Sequence, residues 1–228
     1  MAKKGKFIVI EGTDGSGKAT QADRLVIYLR GRGHKVHLID FPRYYDSFHG
    51  ETISRYLNGE FGDVYDVNPY LASLTYALDR MTAKEELSHW LNSGDDVIAN
   101  RYTLSNMAFQ AVKLPPSQRD EFIDWEEKME YKVHKIPKED LIIFLHLPTE
   151  YSQRLIRRKP KRAYTKKTRD IHERNLTYMR EVEKQYMALY ERYRHIRKIN
   201  CLDKSNYIRP IEDIHKEIIN LLKEEKML

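Results

Sequence analysis

Short runs of consecutive apolar, β-branched residues recur along the chain at Phe7 to Glu11, Val36 to Phe41, Asp96 to Arg101, Leu141 to Leu147 and Ile199 to Leu202. Runs this brief, apolar throughout rather than alternating, predict strands buried on both faces, as in a parallel sheet. Between the first two, Ala22, Leu25, Val26 and Leu29 recur at three and four within Lys18 to Arg32, with Gly31 and Gly33 as stop signals. A β-α-β unit follows. Pro69 to Leu91 carries Tyr70, Leu74, Tyr76, Leu78, Met81, Leu87 and Trp90 on more than one face, which predicts a helix packed on two sides. Leu176, Met179, Tyr186, Leu189 and Tyr193 keep helical spacing, as do Ile211, Ile214, Ile218 and Leu221 after Pro210; both predict helices lying on a sheet. The alternation of strand and helix predicts an α/β protein with three αβα layers, a doubly wound, five-stranded parallel sheet flanked by helices. No repeat and no Gly/Ser/Pro linker divides the chain, so one domain spanning 1–228 is expected.

Composition changes this picture little, and charge changes it more. With 41% hydrophobic and 32% charged residues and no apolar run approaching a membrane span, a soluble protein without membrane association is expected. The apolar stretch behind the basic N-terminus is too short for a signal-peptide core, and a single cysteine, Cys201, allows no internal disulfide. A reducing cytoplasm fits both. The net charge of +6 is local: nine basic and no acidic residues lie between Tyr151 and Arg169, and the remainder is mildly acidic. One patch is unlike the broad basic stripe of a duplex-binding domain, so small phosphate-rich ligands are expected rather than nucleic acid. The aperiodic segment Lys159 to Arg169 predicts a loop.

The first predicted strand runs into Gly12-Thr13-Asp14-Gly15-Ser16-Gly17-Lys18-Ala19-Thr20, and a helix follows at once. This is the G-x-x-x-x-G-K phosphate loop in its strand-turn-helix setting. Glycines allow backbone N–H groups to turn around a phosphate, the helix start adds positive potential, and Lys18 reaches the outer phosphates. Gly12, Gly15, Ser16, Gly17, Lys18, Ala19 and Thr20 are thus the candidate nucleotide triphosphate contacts. Ala19 stands where such loops place a Ser or Thr hydroxyl on Mg²⁺. No guanine-reading N-K-x-D occurs, which argues against a GTPase.

Further segments, in order, are Phe41-Pro42-Arg43-Tyr44, Tyr76-Ala77-Leu78-Asp79-Arg80, Arg101-Tyr102, Ser105-Asn106 and Asp170-Ile171-His172-Glu173. Together with the phosphate loop they resemble the thymidylate kinase family of nucleoside monophosphate kinases from about residue 7 to about residue 175. The resemblance implies a P-loop fold with a basic lid near 154–170, ATP-dependent phosphorylation of dTMP to dTDP with Mg²⁺, and a homodimer. It implies that Tyr76 stacks on the base, Arg80 donates to a base carbonyl, Asn106 meets the pyrimidine edge and Ser105 holds Arg80 or the base. Arg101 and Arg43 would grip the acceptor phosphate. Phe109 would crowd the sugar's 2′ position, with Phe41, Tyr44, His172 and Glu173 completing the dTMP site. Lid residues Arg157 and Arg158, with Arg154 or Arg162, would neutralise the transferring group, because the family's P-loop arginine position is Gly15 here. Asp14 would hold either the metal shell or the acceptor's 3′-hydroxyl. Read from the residues alone, Tyr76 and Phe109 also suit helix core, Arg80 an ion pair with Glu51 or Asp79, and Asn106 a helix cap. The chain departs from the family at Ala19, at Asn100, where an Asp usually precedes the arginine, and at His172, where an aromatic is usual. A kinase for another deoxynucleoside or its monophosphate, and a non-catalytic nucleotide-binding homologue, therefore stay open.

Overall fold

A computed structural model of the chain describes residues 4–156 and 170–228. Five strands, β1 (Phe7–Glu11), β2 (Val36–Asp40), β3 (Asp96–Asn100), β4 (Leu141–His146) and β5 (Ile196–Asn200), form one parallel sheet in the order β2-β3-β1-β4-β5. The helices are α1 (Lys18–Arg30), α2 (Phe48–Leu57), α3 (Pro69–Thr82), α4 (Lys84–Asn92), α5 (Thr103–Ala111), α6 (Pro116–Glu127), α7 (Thr149–Ile156), α8 (Ile171–Arg174), α9 (Leu176–Arg192) and α10 (Ile211–Glu224). A π-helical segment, Lys128–His134, continues α6. The three-layer expectation holds, and no described helix is long and apolar enough to cross a membrane.

Alternation along each central strand divides the core in two. Phe7, Val9, Val97, Ala99, Ile142 and Phe144 face Leu87 of α4, Met107 of α5 and Tyr178, Val182 and Tyr186 of α9. Ile8, Ile10, Ile98, Ile143 and Leu145 face Leu25 and Leu29 of α1 and Ile214, Ile218 and Leu222 of α10. With both faces covered, β1 has no exposed position, which accounts for its unbroken apolar run.

Two expectations need correcting. Pro69 to Leu91 is not one helix, because at Ala83 the backbone takes φ −93°, ψ −1° and its N–H bonds back three residues to Arg80. The tightened turn ends α3, and α4 departs to lay Leu87 and Leu91 on the sheet. As expected, α3 packs on two sides, against α2 and against α5, while its outer face stays exposed at Leu71 (63%), Leu74 (37%) and Met81 (40%). The last strand begins at Ile196 rather than Ile199, since Arg197 and Lys198 interrupt its apolar pattern at the sheet edge. Leu202 instead forms an isolated antiparallel bridge with Ile208.

Candidate active site

From Glu11 the chain turns through Gly12 to Gly17 and enters α1 at Lys18. Gly15 and Gly17 take φ +88° and +92°, a left-handed conformation that other residues adopt only under strain. A Cβ at Gly15 would also lie 2.8 Å from the Ser152 carbonyl oxygen of α7, so no arginine side chain fits at this loop position. Lys18 is buried, donates from Nζ to the Thr13 carbonyl (2.9 Å) and lies 3.9 Å from Asp14. No side chain caps the start of α1, which leaves its first N–H groups for an anion. Ala19 and Thr20 line the same open cavity, whose far wall carries Asp40, Arg43 and Asn100.

Arg101 follows β3 directly in a left-handed conformation, φ +67°, unusual for a residue with a Cβ and of the kind stored at functional sites. Its guanidinium donates to Asp14 (2.8 Å), Ser105 Oγ (2.8 Å) and Tyr186 Oη (3.4 Å) and lies over the Phe109 ring. Burial opposes its charge, but Asp14, Tyr186 and Glu11 more than compensate, leaving its pKa above the usual arginine value. Buried Glu11 organises this cluster. Its carboxylate accepts from the N–H groups of Tyr102 (2.8 Å) and Ser105 (3.1 Å), from Ser105 Oγ (2.6 Å) and from Tyr186 Oη (3.0 Å). One side chain thereby caps the start of α5 and fixes Ser105, which holds Glu11 and Arg101 rather than Arg80.

Behind Arg101 lies a recess walled by Phe41, Tyr44, Tyr76, Arg80, Asn106 and Phe109. Its mouth, at Asp14 and Arg101, is also the wall of the phosphate-loop cavity. Arg80 is buried and anchored through all three nitrogens: Nε donates to Glu130 of the π-helical segment (2.8 Å), a second nitrogen pairs with the same oxygen, and a third reaches the Tyr102 carbonyl (3.4 Å), which leaves two of its five N–H groups for a ligand. Its ion pair is thus buried and made with neither Glu51 nor Asp79. Burial works against the Arg80 charge and Glu130 outweighs it, raising the pKa. Asp79 instead accepts from the Arg43 N–H (2.9 Å) and the Ser47 hydroxyl. Asn106 caps no helix. Its Nδ2 donates to Glu126 of α6 (2.9 and 3.1 Å) and to the Ser73 carbonyl (3.3 Å), and its buried Oδ1 has no partner among the described residues. Burial, with Glu130 nearby, pushes the Glu126 carboxyl up to about 8.

His172 closes the recess from α8, its ring against Phe109 (centroids 5.2 Å) and its Nε2 3.2 Å from Tyr56 Oη. Burial, with Lys113 nearby, pushes its pKa down to about 3, so the ring is neutral. Glu173 lies outside the recess wall, where Asp170 stands instead; the two form a capping box at the start of α8. Phe109 is both core and wall. Arg154 is exposed on α7 with its guanidinium over Tyr151, and it lines neither cavity. Arg157, Arg158 and Arg162, with the rest of the expected basic loop, lie outside the described residues.

No group of three His, Cys, Asp or Glu able to hold a metal occurs among the described residues. Asp40 of β2 stands beside Asn100 of β3 and accepts from its Nδ2 (2.7 Å), both on the wall of the phosphate-loop cavity with Asp14. These hard oxygens suit Mg²⁺, which is commonly held by one or two carboxylates together with substrate phosphates. Sequence reasoning passed over Asp40, Glu11, Glu126 and Glu130. For the last two the only signal was a pair of acidic residues four apart on an otherwise apolar helical face.

Residues 10–218 match the family model described as thymidylate kinase. A thymidylate kinase of Mycobacterium tuberculosis is 32% identical over 173 residues, covering 74% of this chain and 78% of that protein. A probable thymidylate kinase of Pyrococcus horikoshii is 31% identical over 224 residues, covering 97% of this chain and 98% of its own length. In fold, the chain is similar to a solved thymidylate kinase of Candida albicans, with a TM-score of 0.76, 23% identity and coverage of 98% and 93%. With the family model matched over residues 10–218 and a 31% identical relative matched over 98% of its length, the chain belongs to the thymidylate kinase family.

Proposed function

We propose that the protein is an ATP-dependent thymidylate kinase, a single-domain, cytoplasmic homodimer that transfers the γ-phosphoryl group of ATP to dTMP, yielding dTDP and ADP for dTTP synthesis. The observation that carries this reading is the shared wall of the two cavities: a monophosphate seated in the recess would emerge at Asp14 and Arg101, where the phosphate loop opens. In the recess, Tyr76 stacks on the base, Asn106 Oδ1 accepts from its N3–H and the Arg80 guanidinium faces its carbonyl. Phe109 and His172 enclose the sugar. Arg101 and Arg43 bind the acceptor phosphate from either side of the shared wall.

The nucleophile is a phosphate oxygen, largely deprotonated at neutral pH with a second pKa of about 6, so no general base is required. Catalysis then consists of positioning and charge neutralisation. Lys18 and the loop amides hold the donor's outer phosphates, and the lid arginines Arg157 and Arg158, with Arg154 and Arg162, cover the transferring group. When bound, Mg²⁺ supplies charge neutralisation between the phosphates, and Asp14 and Asp40 are the carboxylates that would hold its water shell. ADP release measured with a panel of nucleosides and nucleoside monophosphates tests the reading. Turnover is expected with dTMP above every other acceptor; better turnover of thymidine, dCMP or a purine monophosphate would refute it.

A further inference from the structure

Lys113 follows α5 and has no part in the reaction above. Its half-buried Nζ donates to Tyr56 Oη (2.7 Å) and to the Val67 carbonyl (3.3 Å), 5.0 Å above the Tyr56 ring. Tyr56 Oη in turn lies 3.2 Å from His172 Nε2. An ammonium group can only donate, so the Tyr56 oxygen must accept from Lys113; the Gln110 amide faces the same oxygen as a second donor. The phenolic hydrogen is left to point at His172, whose Nε2 must then be bare. In a neutral imidazole the proton therefore sits on Nδ1. The charged groups around this ring are Lys113, Asp14 and Arg101, which places it at the phosphate and sugar end of the recess, away from the base-facing Arg80 and Asn106.

We propose that Lys113 and Tyr56 are positioning residues that fix His172 as its Nδ1–H tautomer, so that the ring donates a hydrogen bond to a sugar oxygen of the acceptor nucleotide. The proposal rests on the monophosphate kinase reading above. It gives a purpose to a histidine where the family usually has an aromatic, and to a lysine withdrawn from solvent. Burial draws the Lys113 ammonium down to about 7. Above that pH the amine gains a lone pair to which Tyr56 can donate, which releases His172 to donate from Nε2. The other charged groups facing the relay are Asp63 and Asp170 beside Tyr56, and Asp14 and Arg101 beside His172.

The test is steady-state kinetics of the full chain with dTMP varied at saturating ATP and Mg²⁺, for wild type, Lys113→Met, Tyr56→Phe, His172→Phe and the Lys113→Met/His172→Phe double variant. Lys113→Met and Tyr56→Phe should raise the KM for dTMP about 3- to 10-fold, the worth of one neutral hydrogen bond, with a smaller change in kcat. In the double variant, Lys113→Met should add nothing to the effect of His172→Phe. Additive losses would overturn the relay. Because a variant at a buried lysine can fail to fold, the wild type supplies a second measurement, ¹⁵N NMR of histidine-labelled protein. It should show Nδ1–H and a bare Nε2 for His172 at about pH 6, shifting towards Nε2–H by about pH 8.5 as Lys113 loses its proton. Nε2–H at the lower pH would overturn the proposal. A wild type that phosphorylates no monophosphate refutes the kinase reading instead, whatever the tautomer.

Discussion

Asn106 lines the recess, and because its Nδ2 is already held by Glu126 and by the Ser73 carbonyl, its carbonyl oxygen is the atom left for the base. Thymine brings N3–H to that oxygen, whereas cytosine brings a bare nitrogen. Acceptor facing acceptor in a buried site costs about 1–3 kcal/mol, so kcat/KM for dCMP should fall roughly 5- to 150-fold below that for dTMP in initial-rate assays. Equal values would show that Asn106 does not read the base. Arg80 gives a different kind of prediction. Arg80→Leu would strand Glu130 as a buried carboxylate without a counter-charge, a loss of about 3–5 kcal/mol that thermal unfolding would register. A drop under about 1 kcal/mol would mean that Glu130 takes up a proton at little cost. Arg80 and Asn106 stood out in the sequence through the segments that resemble the family, Tyr76 to Arg80 and Ser105-Asn106. Their partners did not, because Glu130 and Glu126 lie 50 and 20 positions away and nothing local announces the pairing.

Helix α6 carries Glu126 into the core, and the consequence can be read in stability against pH. A carboxyl raised to about 8 in the fold and near 4.5 when unfolded binds more protons in the folded state between those values. Its contribution to stability is therefore lost as pH rises from about 4.5 through 8. Glu126→Gln removes that titration, so the variant should gain on the wild type in unfolding midpoint between pH 5 and 8; a constant difference would show that Glu126 does not titrate there. The elements themselves were legible where burial is two-sided. β1 and β4 announced themselves as unbroken apolar runs, and the phosphate loop by its glycine spacing. The division between α3 and α4 was not legible, because no Pro or Gly marks it. The turn at Ala83 is made by backbone geometry and by Thr82, whose hydroxyl donates to the Asp79 carbonyl. α2 and α5 escaped notice too, since their starts are set by Ser47 and by distant Glu11 rather than by a long apolar period.

At the scale of the whole molecule, the two cavities meet at one wall, and the proposed chemistry requires the basic segment to cover that junction. Lys18→Ala should weaken ATP binding as well as kcat, whereas Arg157→Ala should lower mainly kcat, on the order of 10³-fold if it acts as an arginine finger. Normal kcat in every substitution at Arg154, Arg157, Arg158 and Arg162 would remove the lid from the mechanism. The exposed stripe of Leu71, Leu74 and Met81 on α3 is the face on which a second copy is expected to sit. Sedimentation should accordingly find a dimer for the wild type and a monomer for Leu71→Glu/Leu74→Glu, and a variant that stays dimeric would move the interface elsewhere. The charges that blurred β5 in the sequence have a further effect. A parallel sheet that ended in a purely apolar strand would offer its open row of N–H and C=O groups to any passing chain. Arg197, tied to Glu225 beyond the end of α10 (2.6 Å), and Lys198 place positive charge along that border. Another strand docking there would have to disturb the Arg197–Glu225 pair and strip water from Lys198, a cost that works against edge-to-edge pairing at this margin of the sheet.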